Sequence, residues 1–142
     1  FAEQLKLAKA LGMPVIIHTR DSTLDTLQIV RKFPGVKGVF HCYSGSLETL
    51  EQVLDLGFYI SLGGVVTFKN AKTPKEVAKK VPIERLLLET DCPYLAPEPY
   101  RGTVNTPLNV RFVAEEIARL RNMDFESVAS ITSKNAKDLF GI

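Results

Sequence analysis

The feature of this sequence that most constrains its fold is a regular alternation of short apolar segments with amphipathic segments of helical length. The apolar segments are rich in β-branched and aromatic residues, which is typical of buried parallel strands. In the segments between them, apolar residues recur at helical spacing. Gly or Pro follows most of these helical segments. The predicted strands are 15–18, 36–41, 58–62 and 85–89, and the predicted helices are 1–11, 22–33, 46–57, one from 73, one from 106, and 124–139.

Strands separated by single helices predict parallel βαβ units with right-handed crossovers. Periodicity alone does not separate an open doubly wound sheet from part of a (β/α)8 barrel. The 142 residues suit one domain, and neither a linker nor a repeat divides them, so 1–142 is predicted to be a single domain. The chain opens at Phe1 in a helical pattern with no preceding strand, which indicates a fragment or a processed product.

The composition excludes several classes of protein. Hydrophobic residues make up 45% and charged residues 24%, as in an ordinary globular domain. The net charge of +2 is too small to indicate nucleic-acid binding by bulk electrostatics, so only a local basic patch would serve. Two cysteines without a disulfide framework predict a reduced, cytoplasmic setting. The apolar runs fall short of the roughly 20 residues of a membrane helix, so no membrane partner is predicted.

The polar residues that end the strands carry the chemical signal. The only two histidines, His18 and His41, each end a predicted strand, and Asp91 follows the fourth strand. Because the carboxyl ends of parallel strands share one edge, the three side chains should meet there. Imidazole and carboxylate are ligands of Zn, Mn and similar divalent metals, so this edge is a candidate metal site. A structural role for each histidine, as a hydrogen-bonded side chain, is the alternative.

Strand alternation makes the prediction more specific. If His41 and Asp91 point to one face, Glu89 points there too, and it then needs a hydrogen bond or a nearby cation. Cys42 and Cys92 each follow a proposed ligand, which allows a Cys2His2 zinc site or a Cys42–His41 catalytic pair. Alternation argues against both, because each cysteine should face away from the residue before it. Buried free cysteines are the simpler interpretation.

Five segments, read together, carry a family resemblance. They are PVIIHTRD (14–21), GVFHCYSG (38–45), YISLGG (59–64), LLETDCPYLAP (87–97) and the pattern Arg101-Gly-x-x-Asn105-x-Pro107. In this order they resemble the TatD family of metal-dependent deoxyribonucleases. The resemblance spans essentially the whole chain.

This resemblance implies a fold, a cofactor and a substrate. The fold would be α/β, the C-terminal half of a (β/α)8 TIM barrel, with strands five to eight and their helices. A divalent ion (Mg, Mn or Zn) would lie at the carboxyl rim, held by His18, His41 and Asp91. Asp91 would also help to deprotonate the water that attacks a DNA phosphodiester. Arg20 and Arg101 are weaker candidates for binding the phosphate groups of DNA.

The chain also departs from the family pattern. The first-strand His-x-His and the fourth-strand metal-bridging Glu of the family are absent, and Thr103 stands where a basic residue is usual. The rival hypothesis is therefore a non-catalytic half barrel, either a structural remnant or a chain that dimerises through its exposed strand edges. The predicted partners are DNA and either a second copy or a missing N-terminal half.

Overall fold

The computed structural model describes residues Phe1–Ile142, and its elements follow the predicted alternation closely. The strands are β1 (Val15–His18), β2 (Gly38–His41), β3 (Tyr59–Leu62) and β4 (Leu86–Leu88). The helices are α1 (Ala2–Leu11), α2 (Thr23–Val30), α3 (Leu47–Asp55), α4 (Lys72–Lys80), α5 (Val110–Arg121) and α6 (Phe125–Phe140). Three short 3-10 turns, Gly64–Thr67, Ile83–Arg85 and Pro107–Asn109, were not predicted.

Local chemistry sets the helix ends. Ser46 caps α3, because its hydroxyl oxygen accepts a hydrogen bond of 3.2 Å from the Thr49 amide. Asp124 caps α6 in the same way through the Ser127 amide at 2.7 Å. Gly12 ends α1 in the left-handed conformation, with φ of 65°. None of the helices combines the length and the apolar character that a membrane span requires.

The four strands form one parallel sheet in the order β1-β2-β3-β4. The register places Ile17 beside Phe40, Phe40 beside Ile60, and Ile60 beside Leu86. These four side chains therefore form one row across the same face of the sheet. All four are buried, and Phe40, Ile60 and Leu86 have no exposed surface.

The helices pack against this face and build the main core. The core holds 22 buried residues and draws at least one from every helix. Representative members are Leu5 of α1, Leu27 of α2, Val53 of α3, Val77 of α4, Ile117 of α5 and Val128 of α6. Full burial of one such side chain contributes up to about 1.5–3 kcal/mol, so this face accounts for most of the stability of the domain.

The second face of the sheet is divided into an apolar and a polar part. Val39 of β2 and Leu87 of β4 pack against Leu139 near the end of α6 in a separate small cluster. Beyond this cluster, towards the carboxyl ends of the strands, the same face carries polar side chains. Strand alternation places them there, two residues after each apolar member.

The predicted half of a (β/α)8 barrel is wrong as a description of this fold. The chain is a compact α/β domain whose four parallel strands form an open sheet. Its second face is not a bare barrel interior, since Leu139 and Phe140 of α6 pack on it. The half barrel was implied by the family resemblance, whereas periodicity alone had left an open sheet and a barrel undecided.

Candidate metal centre

The candidate site lies at the carboxyl ends of the strands, an edge called the rim below. The parallel register pairs His18 of β1 directly with His41 of β2, and their ring centroids are 5.7 Å apart. Asp91 follows β4 in the segment 89–106, called the β4 loop. Its Oδ1 lies 3.3 Å from Nε2 of His41. The structure thus brings the three predicted residues to one part of the rim.

Glu89 occupies the centre of this group. Its Oε2 lies 2.6 Å from Nδ1 of His41, and it also accepts a hydrogen bond from the Ser61 hydroxyl of β3. The Glu89 side chain is only 15% exposed, and its Oε1 is buried without a hydrogen-bond partner. The sequence predicted that Glu89 would face this side and need a partner. It did not identify Ser61. The only indication of this role in the sequence is a hydroxyl residue within an apolar strand.

The backbone at the rim adopts an uncommon conformation. Asp21, Cys42 and Asp91 all have left-handed φ values, of 56°, 47° and 55°. Such values are rare for residues other than glycine, and they concentrate at functional sites. Each lies within three residues of a strand end, so the backbone leaves the extended conformation there and strand alternation no longer applies.

Cys42 shows the consequence, because the prediction that it faces away was wrong. Its thiol lies close enough to the Glu89 and Asp91 carboxylates for their charges to raise its pKa, so it faces the rim. Burial raises the pKa of Cys42 to about 11, and the charges of Glu89 and Asp91 add to the effect. A thiol with this pKa stays protonated at neutral pH, which disfavours a thiolate nucleophile. Cys92 is exposed and also free, so the chain has no cysteine pair at the rim.

Asn105 anchors the β4 loop on both sides of Asp91. Its side-chain amide is buried, and Nδ2 donates to the carbonyl of Thr90 at 2.5 Å and to that of Tyr94 at 2.7 Å. Its Oδ1 accepts from the Thr106 amide at 2.9 Å. The motif containing Asn105 was visible in the sequence, but this role was not. The sequence carries no signal for it, because the partners of the side chain are backbone carbonyls.

A second contact fixes the same loop against the turn after β3. A side chain at Gly64 would collide with the backbone carbonyl of Leu95 and lie 3.0 Å from the Pro97 nitrogen. Only glycine allows this close approach. The Glu98 amide also donates to the Thr67 hydroxyl at 2.8 Å. The β4 loop is therefore held from two directions.

The two predicted phosphate-binding arginines are exposed on the surface. The Arg101 guanidinium stacks over the Phe68 ring at 4.3 Å. Arg20 lies close enough to lower the pKa of Cys42, which places it near the rim. Neither arginine forms an ion pair within the chain, so the guanidinium N–H groups of both remain available to bind a phosphate. Their binding role stays a prediction.

The donor set fits a divalent cation in part. Nε2 of His41 and Oδ1 of Asp91 face each other at 3.3 Å, a spacing that suits two ligands bound at about 2.0–2.2 Å to one ion. The unpartnered Oε1 of Glu89 adds negative charge beside them. However, no three His, Cys, Asp or Glu side chains of the chain converge closely enough to hold an ion. The chain therefore supplies part of a coordination shell.

A parallel α/β domain with histidines and carboxylates at its carboxyl rim has the architecture of the metal-dependent hydrolases. A comparison with family models agrees, since the model described as "TatD related DNase" matches residues 1–141. The chain belongs to this family.

Curated relatives match the whole chain. It is 51% identical over 144 residues to the uncharacterized metal-dependent hydrolase YabD of Bacillus subtilis (strain 168), covering 100% of this chain and 56% of the relative. It is 47% identical to the uncharacterized metal-dependent hydrolase YcfH of Escherichia coli (strain K12), covering 100% of this chain and 54% of the relative. The chain thus spans about half the length of the relatives it matches. Both relatives are named metal-dependent hydrolases, which confirms the prediction of a divalent metal cofactor.

Solved structures agree with the fold. The crystal structure of YJJV, a TatD homolog from Escherichia coli K12, superposes with a TM-score of 0.91 at 33% identity, over 99% of this chain and 54% of that chain. A TatD family hydrolase from Entamoeba histolytica matches with a TM-score of 0.85 at 23% identity, which supports the fold alone. The ligand roles of His18, His41 and Asp91 stay predictions.

Proposed function

We propose that the protein carrying this sequence is a metal-dependent hydrolase that cleaves phosphodiester bonds in DNA. The observation that carries the proposal is the pairing of His41 Nε2 with Asp91 Oδ1 at 3.3 Å, beside His18 on the neighbouring strand. Membership of the family described as "TatD related DNase" supports DNA as the substrate.

The rim residues have different roles in the proposed hydrolysis. A bound divalent ion lowers the pKa of water towards neutrality and stabilises negative charge on a phosphoryl oxygen. His18 and His41 would hold the ion through ring nitrogens. The Asp91 side chain is 34% exposed, so water reaches its carboxylate, which would take the proton of the attacking water.

The exposed arginines orient the substrate. Arg20 lies near the rim, and the Arg101 guanidinium is held over the Phe68 ring. A guanidinium can give two parallel hydrogen bonds to one phosphate, which fixes the angle of the scissile bond. Replacing either arginine by lysine should raise KM more than it lowers kcat.

The test is a cleavage assay with DNA and RNA oligonucleotides of the same sequence, with Mg²⁺, Mn²⁺ or Zn²⁺ and with chelator. We expect cleavage of DNA that chelator abolishes and that Asp91→Asn lowers at least 100-fold. Asp55→Asn, on the exposed end of α3, is the matched control and should keep full activity. Absence of DNA cleavage by the folded, metal-loaded protein would exclude the proposed activity, and preferred cleavage of RNA would exclude the substrate.

A second candidate is a non-catalytic protein that associates with another copy of itself. The observation that favours it is the pair of open sheet edges, β1 and β4, together with the 64% exposure of Ile16 on β1. Sedimentation equilibrium decides: a concentration-dependent dimer that Ile16→Lys dissociates supports this candidate, and a monomer at all concentrations contradicts it.

A further inference from the structure

The further inference concerns Glu89, a carboxylate that the proposed chemistry does not use. We propose that Glu89 is a positioning residue for His41. It accepts a hydrogen bond from the Nδ1–H group and thereby presents the free Nε2 to a cation beside Asp91.

The distances around the His41 ring indicate the direction of the hydrogen bonds. Nδ1 lies 2.6 Å from the Glu89 carboxylate, whereas Nε2 lies 3.3 Å from that of Asp91. A carboxylate only accepts, so the short contact needs a proton on Nδ1. A charge-assisted hydrogen bond is normally about 2.7–2.9 Å long, and the Asp91 contact is longer than that. The ring therefore donates to Glu89 and leaves Nε2 for another partner.

Glu89 can orient the ring because the sheet holds Glu89 itself. Its amide donates to the carbonyl of Leu62 on β3 at 3.1 Å, which continues the parallel ladder beyond β4. The Ser61 hydroxyl of the same strand donates to the oxygen that faces His41. A side chain at Gly63 would lie 3.3 Å from Cγ of Glu89, so the glycine leaves room for the carboxylate arm. Three consecutive residues of one strand end thus fix one carboxylate.

This arrangement has a known chemical consequence. A histidine that binds a metal through one ring nitrogen usually donates the other N–H to a carboxylate, which fixes the ring and increases its basicity. Loss of such a partner typically lowers metal affinity about 10–100-fold. The inference rests on the proposed function in one respect, namely that Nε2 of His41 binds a cation.

The first experiment measures the hydrogen bond without any metal. In protein labelled with 15N-histidine, a long-range 1H–15N spectrum reports which ring nitrogen carries a proton, and His18→Gln assigns the two histidines. We expect a protonated Nδ1 on His41 with a downfield, slowly exchanging signal that moves upfield in Glu89→Gln. An Nδ1 without a proton in the unmodified protein, or an unchanged signal in Glu89→Gln, overturns the proposal.

The second experiment measures Zn²⁺ and Mn²⁺ affinity by calorimetry. Glu89→Gln should weaken binding about 10–100-fold, and Ser61→Ala should weaken it less. Glu51→Gln, an exposed glutamate on α3, is the matched control and should bind as the unmodified protein does. Unchanged affinity in a folded Glu89→Gln overturns the proposal. If the unmodified protein shows the Nδ1 signal but binds neither ion, the proposed function fails while the orientation of His41 by Glu89 stands.

Discussion

Two loops at the rim carry predicted ligands, and the chain holds them very differently. The β4 loop, with Asp91, is bound by the buried Asn105 amide and by the close approach of Gly64. The segment 19–22 after β1, called the β1 loop, follows the exposed ring of His18. Ser22, at the start of α2, makes no side-chain cap hydrogen bond. One loop is therefore fixed by side chains and the other is not.

The difference shows which half of the candidate site the chain preorganises by itself. His41 and Asp91 lie where Glu89 and Asn105 place them, so their geometry exists before any ligand binds. His18 touches the site only through its ring beside His41 at 5.7 Å. Binding a cation would have to order the His18 side chain, which costs conformational entropy.

The largest effect is expected from Asn105→Ala in the β4 loop. The change leaves the carbonyls of Thr90 and Tyr94 without their buried donor. We expect a loss of about 2–4 kcal/mol in the free energy of unfolding, measured by urea denaturation. Asn70→Ala, at an exposed asparagine before α4, is the control and should change stability by less than about 0.5 kcal/mol. Equal effects of the two changes would show that Asn105 does not anchor the loop.

Gly64→Ala tests the other contact of the β4 loop. The added methyl group would collide with the Leu95 carbonyl, a backbone atom that cannot rotate away. Overpacking of this kind costs about 1–3 kcal/mol, so the melting temperature should fall. Val104→Ala, in the same loop with a side chain 75% exposed, should leave the melting temperature almost unchanged. A fully stable Gly64→Ala would mean that the loop has room to move.

Much of this contrast was not predictable from the sequence, although the identity of the rim residues was. His18, His41 and Asp91 were found because a polar residue at the end of an apolar strand is a simple pattern in parallel α/β folds. The orientation of Cys42 was missed because its left-handed φ breaks the alternation that the prediction assumed. Asn105 was missed because its partners are backbone carbonyls eleven and fifteen residues away, and a sequence does not show them.

The elements were predicted better than the way they pack. Every helix and strand was found, since each has a clear period and a Gly, Pro or Ser at its ends. The 3-10 turn Gly64–Thr67 was missed because GVVT has neither helical nor strand alternation. The half barrel, which the family resemblance implied, was wrong because Leu139 and Phe140 cover the second face. In the sequence these two residues are the ordinary end of an amphipathic helix.

The two cysteines offer a smaller test at two places on the rim, directly after β2 and in the β4 loop. The folded pKa of Cys42 is raised from 9.0 to about 11, so folding favours the protonated thiol. Its contribution to stability is complete below pH 9 and is lost as the pH rises towards 11. We expect iodoacetamide at pH 8 to alkylate the exposed Cys92 quickly and Cys42 at least 10-fold more slowly. Cys92→Ala should leave only the slow phase. A single fast rate for both thiols would contradict the buried network around Glu89.

The smallest effect on stability is expected from His18→Ala. The variant for comparison is His41→Ala, on the neighbouring strand. His18 is exposed, so its loss should change the free energy of unfolding by less than about 0.5 kcal/mol. His41→Ala removes the donor to a Glu89 side chain that is 15% exposed, which should cost about 1–3 kcal/mol. Urea denaturation of both variants without metal gives the comparison, and calorimetry with Zn²⁺ should show weaker binding in both. Equal stability losses would mean that the β1 strand end is as fixed as the β2 strand end, and the contrast between the two sides of the site would then be wrong.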